Sequence, residues 1–419
     1  MVVLGQSSES VEKEGESTKR VEFHLFMIML RTRRGIDSMT RIGRLRSTKV
    51  LAWIYLVVFP FLAVAGTYLI VNSLLVYLSI PAAGQAARET GFLANILIPG
   101  LNPYLPIVYG WIGIVVAIIV HEGGHGVMAR SLNFLVKSAG VIFVLIVPIG
   151  AFVEPDEAAL KKAKLKDALR ILAAGVGSNI TTAIIFLLLV MTITASLTPL
   201  TQTHGLGVVD VIQDYPAYNA GLKPGNILIS INSHFLREVQ DLSEAMHDLK
   251  PNDPINLTFA HDNKIEYEIV LLAENPTNAS KSFLGIEVVD DPALILENYK
   301  KLSNSFSTPV YLITPTILSG PYFIPYSHLL HMFYTSPIGD WFYPLSNLFY
   351  WIWFINFNVA IFNALPIYPL DGGHVISRII KHLCNGKLKE STANYLTYIV
   401  SSAMIFLIFL TLALPYIHY

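Results

Sequence analysis

Long apolar stretches, separated by short basic or polar ones, dominate the hydropathy pattern of this chain. Five of them reach the length of about 20 residues that a helix needs to cross a bilayer. The pattern therefore predicts a polytopic α-helical membrane protein with spanning helices at 51–80, 106–130, 167–197, 341–366 and 394–415. A further apolar segment, 306–335, is broken by prolines and Gly320. We expect it to re-enter the membrane or to rest on its outer surface as a mobile lid, which makes about five to six membrane segments.

Two apolar stretches do not follow a helical pattern. The segment 138–157 is rich in β-branched residues but is interrupted by Gly140, Pro148 and Gly150, so we predict a membrane-embedded β-hairpin. Non-helical backbone is tolerated at that depth only where it is buried in protein or lines a cavity. The segment 21–30 is too short to span, and we expect it at the membrane surface.

Residues 204–290 change to the composition of a water-soluble α/β domain. Strands are predicted at 207–212 and 227–231, and a helix at 236–249. The string PAYNAGLKPGNILISIN resembles a PDZ domain of the protease-associated kind, with Asn226 in place of the usual aspartate. Such a domain binds an extended segment or a peptide C-terminus by strand addition. An inert spacer or a steric filter is the alternative.

Composition supports the membrane assignment and excludes other classes. Of 419 residues, 53% are hydrophobic and only 14% are charged, and the mean hydropathy of +0.52 is too high for a soluble protein. A net charge of −1 gives no support to nucleic-acid binding. The single cysteine, Cys384, excludes an internal disulfide and a multi-cysteine zinc site. About fifty residues precede the first apolar segment, so we expect no cleavable signal peptide.

Basic residues set the expected orientation in a plasma membrane. Arginines and lysines are concentrated before the first spanning helix, at 161–170 and at 378–389, and such clusters mark the cytosolic face. Helix 106–130 then runs inward, helix 167–197 runs outward, and the inserted domain is extracytoplasmic. The predicted regions are a cytosolic N-terminal region 1–49, a helical region 50–203, the inserted domain 204–290 and a C-terminal membrane region 291–419.

The motif HEGGH, residues 121–125, ends an uncharged run. On a helix its two histidines, at i and i+4, project from one face and can reach a single zinc ion. Glu122 is then placed to take a proton from a water molecule that the metal activates. Ionisable residues near the end of an apolar helix are costly, so something specific must compensate them. The alternative is a polar helix end with hydrogen-bonded histidines.

A catalytic zinc site also needs a third protein ligand at the same depth. His121 lies about 21 Å along its helix from the outer side, in the inner third of the bilayer. Asp371, in the string NALPIYPLDGG, follows a second inward-running helix and ends at the same face. An Asp-Gly pair alone is more often a turn. Combined with HEGGH at matching depth, it predicts that Asp371 is the third ligand.

HEGGH on one membrane helix, the PDZ-like insert and NALPIYPLDGG on a later helix together resemble the site-2 protease family of intramembrane metalloproteases. The resemblance covers residues 105–415. It implies one Zn²⁺ per chain held by His121, His125 and Asp371, with Glu122 as the general base.

The same resemblance implies how a substrate is held. Asn358 and Asn363, which precede the aspartate, are expected to hold the substrate backbone. The hairpin, with Val141 and Gly150, is expected to pair with an unwound substrate strand. His374 is interpreted as a supporting residue rather than a ligand. The expected partners are transmembrane protein substrates and the lipid bilayer.

Two other functions fit parts of the pattern. A metal transporter could use the same residues for transit, but the sequence shows no internal repeats of broken helices, which are usual in transporters. A non-catalytic scaffold that displays a peptide-binding domain could carry degenerate motifs, but it would have no need of Glu122 beside two histidines. For Asn179, on the helix 167–197, an interhelical hydrogen bond is the simplest interpretation.

Overall fold

Five helices form the membrane region of the computed structural model, which describes residues 21–24, 27–31, 33–144, 147–261, 264–303, 325–384 and 389–417. All five are long and apolar enough to cross a bilayer, as the hydropathy pattern predicts. They are α2 (Arg46–Ser79), α4 (Ile107–Ser131), α6 (Leu165–Ser196), α10 (Phe342–Ala364) and α12 (Glu390–Ile417). The shorter helices are α1 (Arg33–Gly43), α3 (Pro81–Thr90), α5 (Glu157–Lys162), α7 (Pro216–Asn219), α8 (Val239–Met246), α9 (Pro292–Ser303) and α11 (Asp371–Cys384).

Helix α6 lies at the centre of the bundle and packs against α2, α4 and α10. Its middle consists of small residues, and Ala173, Ala174 and Val176 are buried. Gly177 lies so close to the ring of Tyr55 on α2 that an added Cβ would overlap it. Small residues therefore let the neighbouring helices approach α6 closely.

The predicted membrane hairpin is present as β3 (Val136–Val144) and β4 (Val147–Pro155). The stretch 21–30, expected only to lie at the membrane surface, forms most of a second hairpin, β1 (Val21–His24) and β2 (Met27–Arg31). The two hairpins join into one antiparallel sheet with the order β1-β2-β3-β4. Arg31 donates to Ser138 Oγ (2.9 Å), and Ser138 donates to Glu154 Oε2 (2.7 Å), which ties three strands together.

The inserted domain is built on an antiparallel sheet with the order β10-β9-β7-β6-β13, and β8 pairs with β7. Leu206, Leu228 and Phe259 lie in its buried core, and α8 is shorter than the predicted helix 236–249. A separate two-stranded sheet completes the domain. The strands are β6 (Leu206–Val211), β7 (Ile227–Ile231), β8 (His234–Phe235), β9 (Pro254–His261), β10 (Lys264–Leu271), β11 (Ala273–Asn275), β12 (Asn278–Phe283) and β13 (Ile286–Val289).

A short strand pair joins the end of α6 to the start of α10. Strand β5 (Thr198–Pro199), directly after α6, pairs with β14 (Tyr334–Thr335), which precedes α10. Helix α10 therefore starts at the end of the bundle where α6 finishes. Residues 306–324, which are most of the proline-broken segment 306–335, lie outside the described residues. The fold class, a polytopic helical membrane protein with an inserted α/β domain, is confirmed.

Candidate metal centre

The second half of α4 carries HEGGH, and Asp371 is the first residue of α11, just after the turn that follows α10. The Nε2 atoms of His121 and His125 lie 3.3 Å apart, and each lies 3.2 Å from Oδ2 of Asp371. These side chains retain only 12–14% of their exposure, so the site is nearly enclosed. The structure thus brings together three residues that are 250 positions apart at the extremes (371 − 121).

This triangle of atoms has the dimensions of a zinc site. With ligand bonds of about 2.0–2.1 Å in a tetrahedron, neighbouring donor atoms lie about 3.3–3.4 Å apart. Oδ2 of Asp371 is buried and accepts no hydrogen bond within the described chain. An ionised carboxylate facing two imidazole nitrogens suits a divalent cation.

Hydrogen bonds to the other ring nitrogens fix the two imidazoles. Nδ1 of His121 lies 2.6 Å from Oδ1 of Asn179, and Nδ1 of His125 lies 2.7 Å from the carbonyl oxygen of Ile171. Both partners are acceptors, so each Nδ1 carries the proton and each Nε2 lone pair is left for a metal. Asn179 is completely buried and donates to Ala117 O and to Oδ1 of Asn356, both at 2.9 Å.

Asn179 therefore makes the interhelical hydrogen bonds that the sequence suggests and also orients His121. The residue that sequence reasoning missed is Asn356, which links α10 to Asn179 and donates to Ile352 O at 2.8 Å. A polar residue in the middle of an apolar helix was the available signal, but the same helix carries three other asparagines, Asn347, Asn358 and Asn363.

Glycines allow the backbone to approach the site. A Cβ added at Gly175 would overlap Nε2 of His125 and would lie 2.8 Å from Nε2 of His121. Gly372 and Gly373 pack against the backbone of the turn before α11, where a Cβ would overlap Leu365 O or Tyr368 N. Gly175 thus leaves room for the ligand atoms, and the two later glycines hold the turn that delivers Asp371.

Glu122 lies beside the sheet. The backbone N–H of Val153 on β4 donates to Oε2 of Glu122 at 3.3 Å. Glu122 does not belong to the ligand triangle. The carboxylate of Glu122 therefore faces the edge strand β4, while His121 and His125 face Asp371.

Val141 and Gly150, the two hairpin residues expected to bind substrate, lie on different strands. Val141 lies on β3, where it is paired with Leu30 of β2 on one side and with Ala151 of β4 on the other. An interior strand cannot accept a further strand, which corrects the expectation that Val141 pairs with substrate. Gly150 lies on β4, which pairs with β3 alone among the described strands.

Asn358 and Asn363 both use their side-chain amides within α10. Asn358 donates to Phe354 O (2.8 Å) and Asn363 donates to Val359 O (3.0 Å). Substrate binding by either residue stays a prediction. His374 is outside the ligand triangle, and its ring centroid lies 4.9 Å from that of Tyr368.

We expect Asn179→Ala to weaken zinc binding about 10- to 100-fold, because it removes the acceptor that fixes the tautomer and orientation of His121. Asn179→Asp keeps that acceptor and should retain more of the affinity. Asn358→Ala breaks only an intrahelical bond and is the matched control. Competition with a zinc chelator measures all three variants, and equal affinity in Asn179→Ala and Asn358→Ala would contradict the assignment.

Comparison with known proteins places this geometry in a family. A protein of Methanocaldococcus jannaschii, described as uncharacterized, is 27% identical over 83% of this chain and 76% of its own length. A Nostoc sp. protein named "Putative zinc metalloprotease" is 25% identical over 64% of this chain and 84% of its own length. The PDZ domain of an SdrC-like protein from Listeria monocytogenes is similar over 21% of this chain and 92% of that domain, with 22% identity and a TM-score of 0.19. The model of peptidase family M50 matches residues 109–408, which include HEGGH and Asp371, and the chain therefore belongs to peptidase family M50 and is a membrane metalloprotease.

Proposed function

We propose that this protein is an intramembrane zinc metalloprotease of the site-2 type that hydrolyses peptide bonds within or near the transmembrane segments of other membrane proteins, as in regulated intramembrane proteolysis. The observation that carries the proposal is the ligand triangle of His121, His125 and Asp371, with Glu122 directly after His121 in the motif. The triangle lies about 21 Å along α4 from Ile107, at membrane depth. One zinc ion per chain is expected, because these residues form a single group of ligand atoms.

The chemistry follows from the donor set and from Glu122. Zinc, when bound, supplies a Lewis acid that polarises a carbonyl group and lowers the pKa of a water molecule. Glu122 is not a ligand, so its carboxylate is available to accept the proton of the attacking water. The same carboxyl group then delivers the proton to the leaving amine. The hydrogen bond from Val153 N holds the Glu122 carboxylate against strand β4.

A peptide bond inside a substrate helix is shielded, so the substrate must first unwind, and its backbone then needs new hydrogen-bond partners. The open edge of β4 offers them. Val153 directs its N–H away from β3 and toward Glu122, and residues alternate along an antiparallel strand, so Ala151 presents its N–H and C=O to the same edge. Gly150, one position away, faces β3. The proposed substrate-pairing role therefore passes from Val141 and Gly150 to Ala151, because the N–H of Val153 is already bound to Glu122.

We expect Ala151→Pro to lower the rate of substrate cleavage at least tenfold without changing zinc content, because proline removes the backbone donor at the open edge. Ala151→Ser keeps the N–H and is the matched control. Cleavage of a membrane peptide and zinc content should be measured on the same preparations. Wild-type turnover in Ala151→Pro would show that substrates do not pair with β4.

The proposed orientation places the N-terminus in the cytosol of a plasma membrane and the inserted domain outside. It rests on the basic clusters at the ends of the spanning helices. After replacement of Cys384 by serine, a cysteine at Lys281 in the insert should react with an impermeant reagent from outside intact cells. A cysteine at Arg41 should react only after permeabilisation. Labelling of both positions from the same side would contradict the orientation.

The inserted domain is proposed to select substrates, either by binding an extended segment or peptide C-terminus or by acting as a steric filter. Its first and last strands, β6 and β13, pair with each other, and Gly207 lies opposite Val289, so the two ends of the domain lie side by side. Deletion of residues 205–285 should change which substrates are cut and leave zinc bound. Loss of zinc from that variant would make the domain a structural element instead.

The experiment that tests the proposed function maps cleavage products. The zinc-loaded protein is reconstituted in lipid nanodiscs with a peptide that has one transmembrane segment, and the products are identified by mass spectrometry. We expect new termini within or next to the apolar segment. An intact peptide beside a zinc-loaded protein would favour the transporter or scaffold interpretation.

A further inference from the structure

A polar cavity of about 700 Å³ lies between the beginnings of two spanning helices and the second half of α11. Leu165, at the start of α6, and Glu390, at the start of α12, both line it, as does Arg378 on α11. None of the three zinc-ligand residues is part of its wall. The cavity is therefore a separate site on the same side of the bundle as the start of α6.

The charges that line this cavity leave one cation without a partner. Nζ of Lys381 lies 3.1 Å from Oε1 of Glu390. Glu390 is the one acidic residue among the described residues that line the cavity, so these two charges compensate each other. Arg378 is half-buried and makes no hydrogen bond or ion pair with any part of the chain that the structure describes. Burial lowers the pKa of Arg378 below its ordinary value. A partly buried guanidinium of this kind is stabilised by an anion.

Two helix N-termini add positive potential to the same place. Helix α6 begins at Leu165 without a side-chain cap, and α12 begins at Glu390. The first backbone N–H groups of a long helix have no partner within the helix and attract anions. Because these helices cross the membrane, their first turns lie at the level of lipid headgroups.

We propose that this cavity binds a phosphate group, with Arg378 as its principal ligand. Guanidinium groups bind phosphate oxygens through paired, charge-assisted hydrogen bonds. Both the headgroup of an anionic phospholipid and a small soluble phosphate ester carry this chemistry, and basic pockets between helices at a membrane surface suit lipid headgroups. The cavity wall includes Tyr368 and His374, which flank Asp371 in sequence. The bound phosphate thus sits against the turn that positions a zinc ligand, but its binding does not depend on the proposed proteolysis.

The test uses the full-length protein in detergent with two probes, dioctanoyl phosphatidylglycerol and glycerol 1-phosphate, and measures affinity by native mass spectrometry and thermal shift. We expect Arg378→Gln to weaken binding about tenfold or more, since it removes a hydrogen bond between charged groups. Arg378→Lys should restore part of the affinity. Arg41→Gln, which removes an exposed arginine of α1 outside the cavity, should bind like the wild type. Unchanged zinc content in each variant shows that the fold is intact.

The two probes separate the two sources of phosphate. Arg378-dependent binding of phosphatidylglycerol alone supports a lipid headgroup. Equal Arg378-dependent binding of both probes supports a soluble phosphate ester. Failure of the wild type to bind either probe, or wild-type affinity in Arg378→Gln, would overturn the proposal.

Discussion

Glu122→Gln is expected to reduce peptide hydrolysis by about 10²- to 10⁴-fold, the usual contribution of a general base, while zinc content stays close to one ion per chain. Glutamine keeps the size and polarity of the side chain but cannot accept the proton of the attacking water. Zinc is retained because the ligand triangle consists of His121, His125 and Asp371.

Cleavage of a membrane peptide and metal analysis on the same sample measure both effects. Asp371→Ala is the contrasting variant, in which zinc and activity should fall together. Full activity in Glu122→Gln would remove the proposed base. Normal zinc affinity in Asp371→Ala would move the third ligand elsewhere, and His374, three residues further along α11, would be the first residue to examine.

Gly175→Ala is expected to lower zinc affinity by about 100-fold or more, a loss at least as large as that caused by changing a residue that orients a ligand. The added methyl group would overlap Nε2 of His125 and would lie 2.8 Å from Nε2 of His121. Helix α6 is packed on several sides, so it cannot move away without opening the bundle.

Gly123→Ala is the matched control for this variant. Gly123 lies inside HEGGH, but a Cβ added there meets no atom within 4 Å. We therefore expect Gly123→Ala, within the motif, to leave zinc affinity unaltered. Gly175→Ala, outside the motif, should abolish tight zinc binding. Zinc titration of both purified proteins measures the difference. Equal affinities would show that the approach of α6 does not limit the site.

The helices and the ligand set could be predicted because they depend on local patterns. Uninterrupted apolar runs predict the five spanning helices, and the i, i+4 spacing of His121 and His125 predicts that they share a helix face. To predict Asp371 as the third ligand, one more inference was needed, namely the direction in which each helix crosses the membrane. That step needs no tertiary contact, only the basic clusters that mark one face.

The surroundings of the site could not be predicted in the same way. Helix α10 carries four asparagines, Asn347, Asn356, Asn358 and Asn363, and the sequence does not show which of them faces α6. The structure connects Asn356 to Asn179, whereas the amides of Asn358 and Asn363 donate within their own helix. An apolar helix has almost no amphipathic pattern, so its rotation about its axis is set by packing alone.

The sequence also does not show that β4 is an edge strand of the sheet β1-β2-β3-β4. Strand β2 pairs with β3 across more than a hundred residues, and Leu30 opposite Val141 is one such pair. Strand pairing over that distance leaves no local signature, because periodicity reports a strand but not its neighbour. Once β2 is in place, β3 is interior and β4 becomes the edge beside Glu122.

The central claim is that peptide bonds are hydrolysed at a zinc ion held by His121, His125 and Asp371. The most direct test measures how one reconstituted preparation cleaves a peptide with a single transmembrane segment. Cleavage is measured before chelation, after chelation and after zinc is restored. We predict cleavage, loss of cleavage and recovery upon binding of one zinc ion per chain. Cleavage that persists in the fully zinc-depleted protein would contradict this account.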